Sequence, residues 1–132
     1  MNCPTLPGLS LSEFCQRLAA KLASARLPLS GSLELTERCN LRCVHCYINQ
    51  PAGDRDIRSR EMDTAMVCDV LDQVAAAGCL KLLITGGEPL LRPDFLDIYL
   101  HPKRLGLLVT VFTNGTLLTE EAVECFAEYP PY

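Results

Sequence analysis

The chain has 132 residues, 48% of them hydrophobic and 21% charged, with 12 Lys+Arg against 16 Asp+Glu for a net charge of −4. That composition builds one ordinary core, rules out a disordered tail and argues against a nucleic-acid binder held by bulk charge. No apolar run approaches the ~20 residues of a membrane span, and Met1-Asn2-Cys3-Pro4 lacks the basic-then-apolar order of a secretory signal, so the expected setting is the cytoplasm, with neither membrane nor nucleic acid as partner.

Ser10-Leu11-Ser12-Glu13 fits a capping box, and Leu11, Phe14, Leu18 and Leu22 follow at helical spacing. This predicts an amphipathic helix over 11–25, stopped by Pro28. Residues 1–30 read as an amino-terminal helical extension and 31–132 as the core domain. Ser32–Thr36 alternates with period two and predicts a strand, followed by a polar, cysteine-bearing loop over 37–47. The segment 50–59, with Pro51, Gly53 and a mix of charges, reads as loop. Met62, Met66, Val67, Val70, Leu71 and Val74 recur at three- and four-residue steps and predict a helix ending at Gly78.

Leu80–Thr85 is a short apolar run of the kind buried in parallel sheets, and it ends at Gly86-Gly87-Glu88-Pro89. Pro93-Asp94 opens a helix through Phe95, Leu96, Ile98 and Tyr99, interrupted at His101-Pro102. Leu107–Phe112 predicts a third strand, ending at Thr113-Asn114-Gly115, and Thr119-Glu120-Glu121 caps a last helix through Phe126. The order is a helix, then strand–helix three times. Strands joined this way run parallel with right-handed crossovers, and functional groups gather beyond their carboxyl ends. The cysteine loop, the Gly-Gly-Glu-Pro turn and the Thr-Asn-Gly turn all fall there. The third strand should lie at the end of the sheet.

Eight cysteines stand at positions 3, 15, 39, 43, 46, 68, 79 and 125. Without an export signal they do not read as a disulfide framework. Cys15, Cys68 and Cys125 lie in helical patterns, where a thiol serves as a small buried apolar group, and Cys79 is assigned to the core with them. His101 is expected at the surface. Cys39, Cys43 and Cys46 form C-x3-C-x2-C. As a helix this would be one face of buried thiols, yet Glu37, Arg38, Asn40 and Arg42 make the flanks polar, and Arg38 and Arg42 would favour thiolates. A structural zinc site lacks its second ligand pair. A C-x-x-C redox pair at Cys43–Cys46 leaves Cys39 without a role. Three thiolates suit an iron–sulfur cluster with one iron left open.

Glu34 through Tyr47, with its three cysteines, resembles the C-x3-C-x-Φ-C signature of the radical SAM superfamily, with His45 at the usually aromatic position. Gly86-Gly87-Glu88-Pro89 and Thr113-Asn114-Gly115-Thr116 match further hallmarks, and the resemblance runs over about residues 30–128. It implies an α/β fold, an incomplete (βα) partial TIM barrel of three parallel strand–helix units preceded by an amphipathic helix. It implies a [4Fe–4S] cluster on Cys39, Cys43 and Cys46, with S-adenosyl-L-methionine on its fourth iron. Gly86, Gly87 and Glu88 would receive the methionyl amino group, the glycines by allowing close backbone approach and Glu88 as acceptor. His45 and Tyr47 would lie near the adenine, and Asn114 would join the cofactor site.

The implied activity is reductive cleavage of S-adenosylmethionine to a 5′-deoxyadenosyl radical that abstracts hydrogen from a substrate. The phrasing around the motifs is most similar to peptide- and protein-modifying branches with a SPASM extension, so a peptide substrate is implied. An electron donor such as flavodoxin or ferredoxin would feed the cluster. The family core has six strand–helix units and this sequence supplies three, which implies a truncated core, a fragment or half-enzyme met by a complementary half-chain. The alternatives are a non-catalytic iron–sulfur or zinc-binding module and a C-x-x-C thiol–disulfide protein.

Overall fold

The computed structural model describes residues 10–22, 27–48 and 50–132. Residues 1–9 of the expected extension, and the end of its helix at 23–25, lie outside the described residues. The elements are α1 (Leu11–Leu22), β1 (Ser30–Glu34), β2 (Arg38–Cys39), β3 (Gln50–Pro51), α2 (Arg55–Arg60), α3 (Thr64–Ala76), β4 (Lys81–Thr85), a 3-10 turn at Pro89–Leu91, α4 (Phe95–Arg104), β5 (Leu108–Val111) and α5 (Glu120–Glu128).

Three parallel strands make the main sheet in the order β1-β4-β5. The register runs from Ser30↔Lys81 to Glu34↔Thr85 and from Lys81↔Leu108 to Ile84↔Val111. β5 is the edge, as the sequence predicts, and the Tyr132 N–H donates to Val109 O on that strand at 2.8 Å. α3 and α4 cover one face of the sheet. Val67 and Leu71 from α3, Ile98 and Tyr99 from α4, and Leu82, Ile84 and Val109 from the strands form the buried core. Each such side chain contributes about 1.5–3 kcal/mol on leaving water. Tyr99 stacks beside Phe95, meets Phe126 of α5 edge-on at 5.0 Å, and donates its hydroxyl to Tyr129 O. Burial pushes its pKa up to about 12.

The opposite face is open. Along β4, Leu82 and Ile84 are buried while Lys81 is exposed and Leu83 half-buried. The continuous apolar run therefore does not mean burial on both faces. The row Ser32–Leu83–Thr110 looks away from the helices, the side that a barrel turns toward its interior.

Two expected elements differ. The segment read as loop over 50–59 holds β3 and the six-residue helix α2. Asp54 caps α2 by accepting from the Asp56 and Ile57 N–H groups, and Ile57 is the buried residue that anchors it. A helix this short shows no period. Pro102 does not interrupt α4, which runs on to Arg104. Near the helix end, proline removes one N–H from the ladder. The Leu105 N–H still reaches His101 O, and the buried ring packs into the core.

Among the other expectations, α3 ends as predicted at Gly78, whose φ of 94° suits glycine. Cys15 is exposed rather than buried, since α1 places none of its described residues in the buried core; Cys79 is buried, and Cys68 and Cys125 are half-buried. His101 is part-buried and meets Asp72 at 2.8 Å. Among the described residues no helix is long and apolar enough to cross a membrane.

Candidate metal centre and adjoining cleft

Three segments meet beyond the carboxyl ends of the strands: Leu35–Tyr47 after β1, Gly86–Pro89 after β4, and Phe112–Thr116 after β5. Backbone contacts bring the first two together. The Gly87 N–H donates to Thr36 O at 2.7 Å and the Glu88 N–H to Arg38 O at 2.9 Å. A Cβ on Gly86 would fall within 3.0 Å of Thr36 O, and one on Gly87 within 3.0 Å of Arg38 O and Glu37 O, closer than real Cβ atoms stand. Gly86 also has φ 134°, which side chains rarely adopt. The close approach that these glycines permit in this structure is to the root of the cysteine loop.

The second and third segments are joined by Glu88. Its side chain is fully buried. Oε1 accepts from Leu90 N at 3.0 Å and Thr113 Oγ1 at 2.8 Å, and Oε2 from Asn114 N at 2.7 Å. The carboxylate is thus held by three protein donors. The ordinary alternative, a solvated glutamate on a surface turn, does not describe it.

The third segment returns to the cysteine loop through side chains. Asn114 Nδ2 donates to Asn40 Oδ1 at 2.9 Å and lies 3.9 Å from Cys39 Sγ. Asn40 Nδ2 donates to Thr116 Oγ1 at 2.8 Å. Asn40, Thr113 and Thr116 have no assigned role in the sequence motifs and join the site through these contacts, Asn40 beside the first cysteine and the threonines on either side of Asn114.

Behind the loop, Arg38 is buried and pairs with Glu61 through Nε at 2.7 Å and Nη2 at 3.0 Å, while Nη1 donates to Ala52 O. Its charge is therefore committed to Glu61 and does not serve the thiols, contrary to the expectation from its place beside Cys39. The hydrogen bond to Glu61 raises the Arg38 pKa further. Burial pushes the Glu61 carboxyl up, but hydrogen bonds from Arg38 and Thr36, with the Arg38 and Arg92 charges, hold it below the usual carboxylate range. Arg92, also buried, reaches Asp94, Met62 O and Leu35 O, and so ties the end of β1 to the start of α3 and α4.

Cys39, Cys43 and Cys46 are free thiols on this one loop. Their sulfurs are not drawn together: among the described residues no group of three or more His, Cys, Asp or Glu is arranged to hold a metal ion. Cys46 Sγ turns to Ile48 O at 2.7 Å, and the Leu41 N–H donates to Cys39 Sγ at 3.4 Å. Cys43 and Cys46 are exposed, so no packing opposes their turning inward. Three soft donors on a short exposed loop suit iron–sulfur ligation, in which the metal itself gathers its ligands. Beside the loop is an open cleft of about 550 Å³, lined by Tyr47, Gly86, Gly87, Phe112 and Asn114 among others. The exposed His45 is not part of its lining.

The sequence profile of the radical SAM superfamily matches residues 33–131. The chain is 41% identical over 103 residues to an AdoMet-dependent heme synthase of Methanosarcina barkeri, covering 78% of this chain and 29% of that protein. It is 38% identical over 97 residues to a PqqA peptide cyclase of Gluconobacter oxydans, covering 74% and 26%. In structure it resembles Streptococcus suis SuiB bound to S-adenosylmethionine, with TM-score 0.66 at 24% identity, over 94% of this chain and 30% of that one. The chain thus spans less than a third of the length of these relatives.

Proposed function

The chain belongs to the radical SAM superfamily, and on that footing we propose that it is the cluster- and cofactor-binding portion of an enzyme acting on a peptide. When bound, a [4Fe–4S] cluster and S-adenosylmethionine, the cofactors of this superfamily, supply reductive cleavage to a 5′-deoxyadenosyl radical that abstracts hydrogen from the substrate.

Cys39, Cys43 and Cys46 hold three irons as thiolates, and the cleft beside them takes S-adenosylmethionine. The Glu88 carboxylate, expected as the acceptor, is buried and already taken up by Leu90, Thr113 and Asn114, so the Gly86–Glu88 turn offers a methionyl ammonium its carbonyl oxygens, with the carboxylate beneath. Tyr47 lines the cleft and serves the adenine end, His45 stays outside that lining, and Asn114 closes the side toward Cys39. Residues 31–132 act as the core and 1–30 as an extension. The edge of β5, where Tyr132 now contacts Val109, takes the further strands of the barrel, on additional chain or on a complementary half, and these enclose the open face of the sheet.

Similarity to the peptide cyclase, and fold likeness to SuiB bound to its precursor peptide SuiA, support a peptide as substrate. A flavodoxin or ferredoxin supplies the electron, and the cytoplasm is the compartment that keeps such thiols reduced.

The observation that carries this reading is the meeting of the three-cysteine loop with the Gly86–Glu88 turn and Asn114 around one cleft. Anaerobic reconstitution with iron and sulfide tests it. The expected product is an oxygen-sensitive cluster of four irons whose reduced electron paramagnetic resonance signal changes on adding S-adenosylmethionine. Stoichiometric zinc that resists replacement would favour a structural module instead. A cluster signal indifferent to S-adenosylmethionine would leave an electron carrier.

A further inference from the structure

Amide orientation around Asn114 is settled by matching donors to acceptors. Asn114 Oδ1 accepts from Thr116 N at 3.0 Å and from Thr116 Oγ1 at 2.6 Å. Its Nδ2 is then the atom facing Asn40 Oδ1 and Cys39 Sγ. Asn40 is fixed in turn, since its Nδ2 donates to Thr116 Oγ1 and leaves Oδ1 toward Asn114. Flipping either amide would set like atoms against each other. The Asn114 backbone is pinned by the buried Glu88 carboxylate, so the donor does not drift.

Cys39 is the anchored sulfur of the three. The residue before it is held by Glu61 through its guanidinium and by Glu88 N through its carbonyl, and the residue after it by Asn114 and Thr116. Two N–H donors, Leu41 N and Asn114 Nδ2, point at its sulfur. Cys46 Sγ instead faces an acceptor, Ile48 O.

We propose that Asn114 is a positioning and tuning residue for the cluster: its side-chain amide donates to the Cys39 thiolate and raises the cluster's reduction potential. This rests on the cluster reading above. Adding an electron increases negative charge on the ligand sulfurs, so an N–H donor stabilises the reduced state more than the oxidised one. Asn114 also lines the cleft, so one side chain borders both the cofactor site and a cluster ligand.

The test is a redox titration of the reconstituted full chain, followed by electron paramagnetic resonance, with iron and sulfide content measured on each sample. Asn114→Ala should keep its four irons and become about tenfold harder to reduce at a given potential, a shift of about 59 mV to the negative for one electron. Asn40→Ala removes a loop contact but keeps the Asn114 donor, and should titrate with wild type. Equal potentials for wild type and Asn114→Ala would overturn the proposal, as would an equal shift in Asn40→Ala, which would mean loop packing rather than a donor to sulfur. If Asn114→Ala holds no cluster, the wild-type protein decides. Labelled with 15N in its asparagine side chains and exchanged into D2O, it must show deuteron and 15N couplings to the reduced cluster, and their absence overturns the proposal. A wild-type chain that takes up no iron is a different result, which removes the cluster reading and the proposal together.

Discussion

Glu88 Oε2 accepts the Asn114 N–H at 2.7 Å, so a carboxylate with no exposure to solvent joins the end of β4 to the end of β5. The neighbouring glycines fasten the same turn to Thr36 and Arg38. Three loops that bear the site are thereby one unit, and substitutions within it should be felt in folding as well as in binding.

Glu88→Gln should be costly although it is isosteric. Whichever way the amide is set, its NH2 faces a donor: Asn114 N on one side, Leu90 N and Thr113 Oγ1 on the other. Losing a charge-assisted bond and leaving a buried donor unpaired costs about 1.5–3 kcal/mol. Urea denaturation of the variant beside wild type measures it, and coincident midpoints would show that the carboxylate is not the joint described.

Gly87→Ala should destabilise the chain by about 1–3 kcal/mol or more, the cost of forcing a methyl into packed backbone, and should weaken iron uptake by displacing the root of the cysteine loop. Gly53→Ala meets no atom within 4 Å and should be close to neutral. Thermal melts and iron content of the two variants, compared directly, check this.

Arg92→Met removes the guanidinium that Asp94, Met62 O and Leu35 O share. Breaking one side of a fully buried pair costs about 3–5 kcal/mol, and since Asp94 is only half-buried and keeps its bond from Thr64 the expected loss lies at or below the lower end of that range. Asp94→Asn in the same background should recover part of that loss by neutralising the stranded carboxylate. A double variant no more stable than Arg92→Met alone would refute the pairing.

Acid should loosen the fold at Glu61 and Asp94. Burial pushes both carboxyls up, but their hydrogen bonds, with Arg38 and Thr36 for Glu61 and with Arg92 and Thr64 for Asp94, hold both below their ordinary values of 4.5 and 3.8. Such a group binds fewer protons folded than unfolded. Its stabilisation is complete above the unfolded pKa and is lost as pH falls through the folded one. Stability measured by urea should therefore be flat down to about pH 5 and fall below that. Glu61→Gln should be less stable at neutral pH and show a shallower fall. An unchanged pH profile in that variant would remove Glu61 from the account.

Cys39→Ala, Cys43→Ala and Cys46→Ala should each abolish the cluster, since two thiolates do not hold it. Cys15→Ala, Cys68→Ala and Cys125→Ala, on helices α1, α3 and α5, should leave iron content unchanged. Iron and acid-labile sulfide assays distinguish the sets. Iron retained by any one of the first three would reassign that ligand.

The alternation of strand and helix, the capping residues and the apolar periods of α3, β4 and β5 were readable along the chain because each depends on neighbours within one or two turns. The cysteine spacing, Gly86-Gly87-Glu88 and Asn114 were readable as motifs for the same reason. Local pattern could not say what those residues touch. Gly86 and Gly87 are required by backbone some fifty residues earlier, Glu88 is held by donors from the loop after β5, and Arg38 is drawn from the thiols by Glu61. The motifs give Asn40 and Thr116 no role of their own, because their contact exists only where the loops that follow β1 and β5 meet across the end of β4. Short α2 and the unbroken α4 depend likewise on where Ile57 and Pro102 are buried. Secondary structure here follows from short-range chemistry, whereas the coupling of three distant loops into one site arises from hydrogen bonds that only the parallel sheet brings within reach.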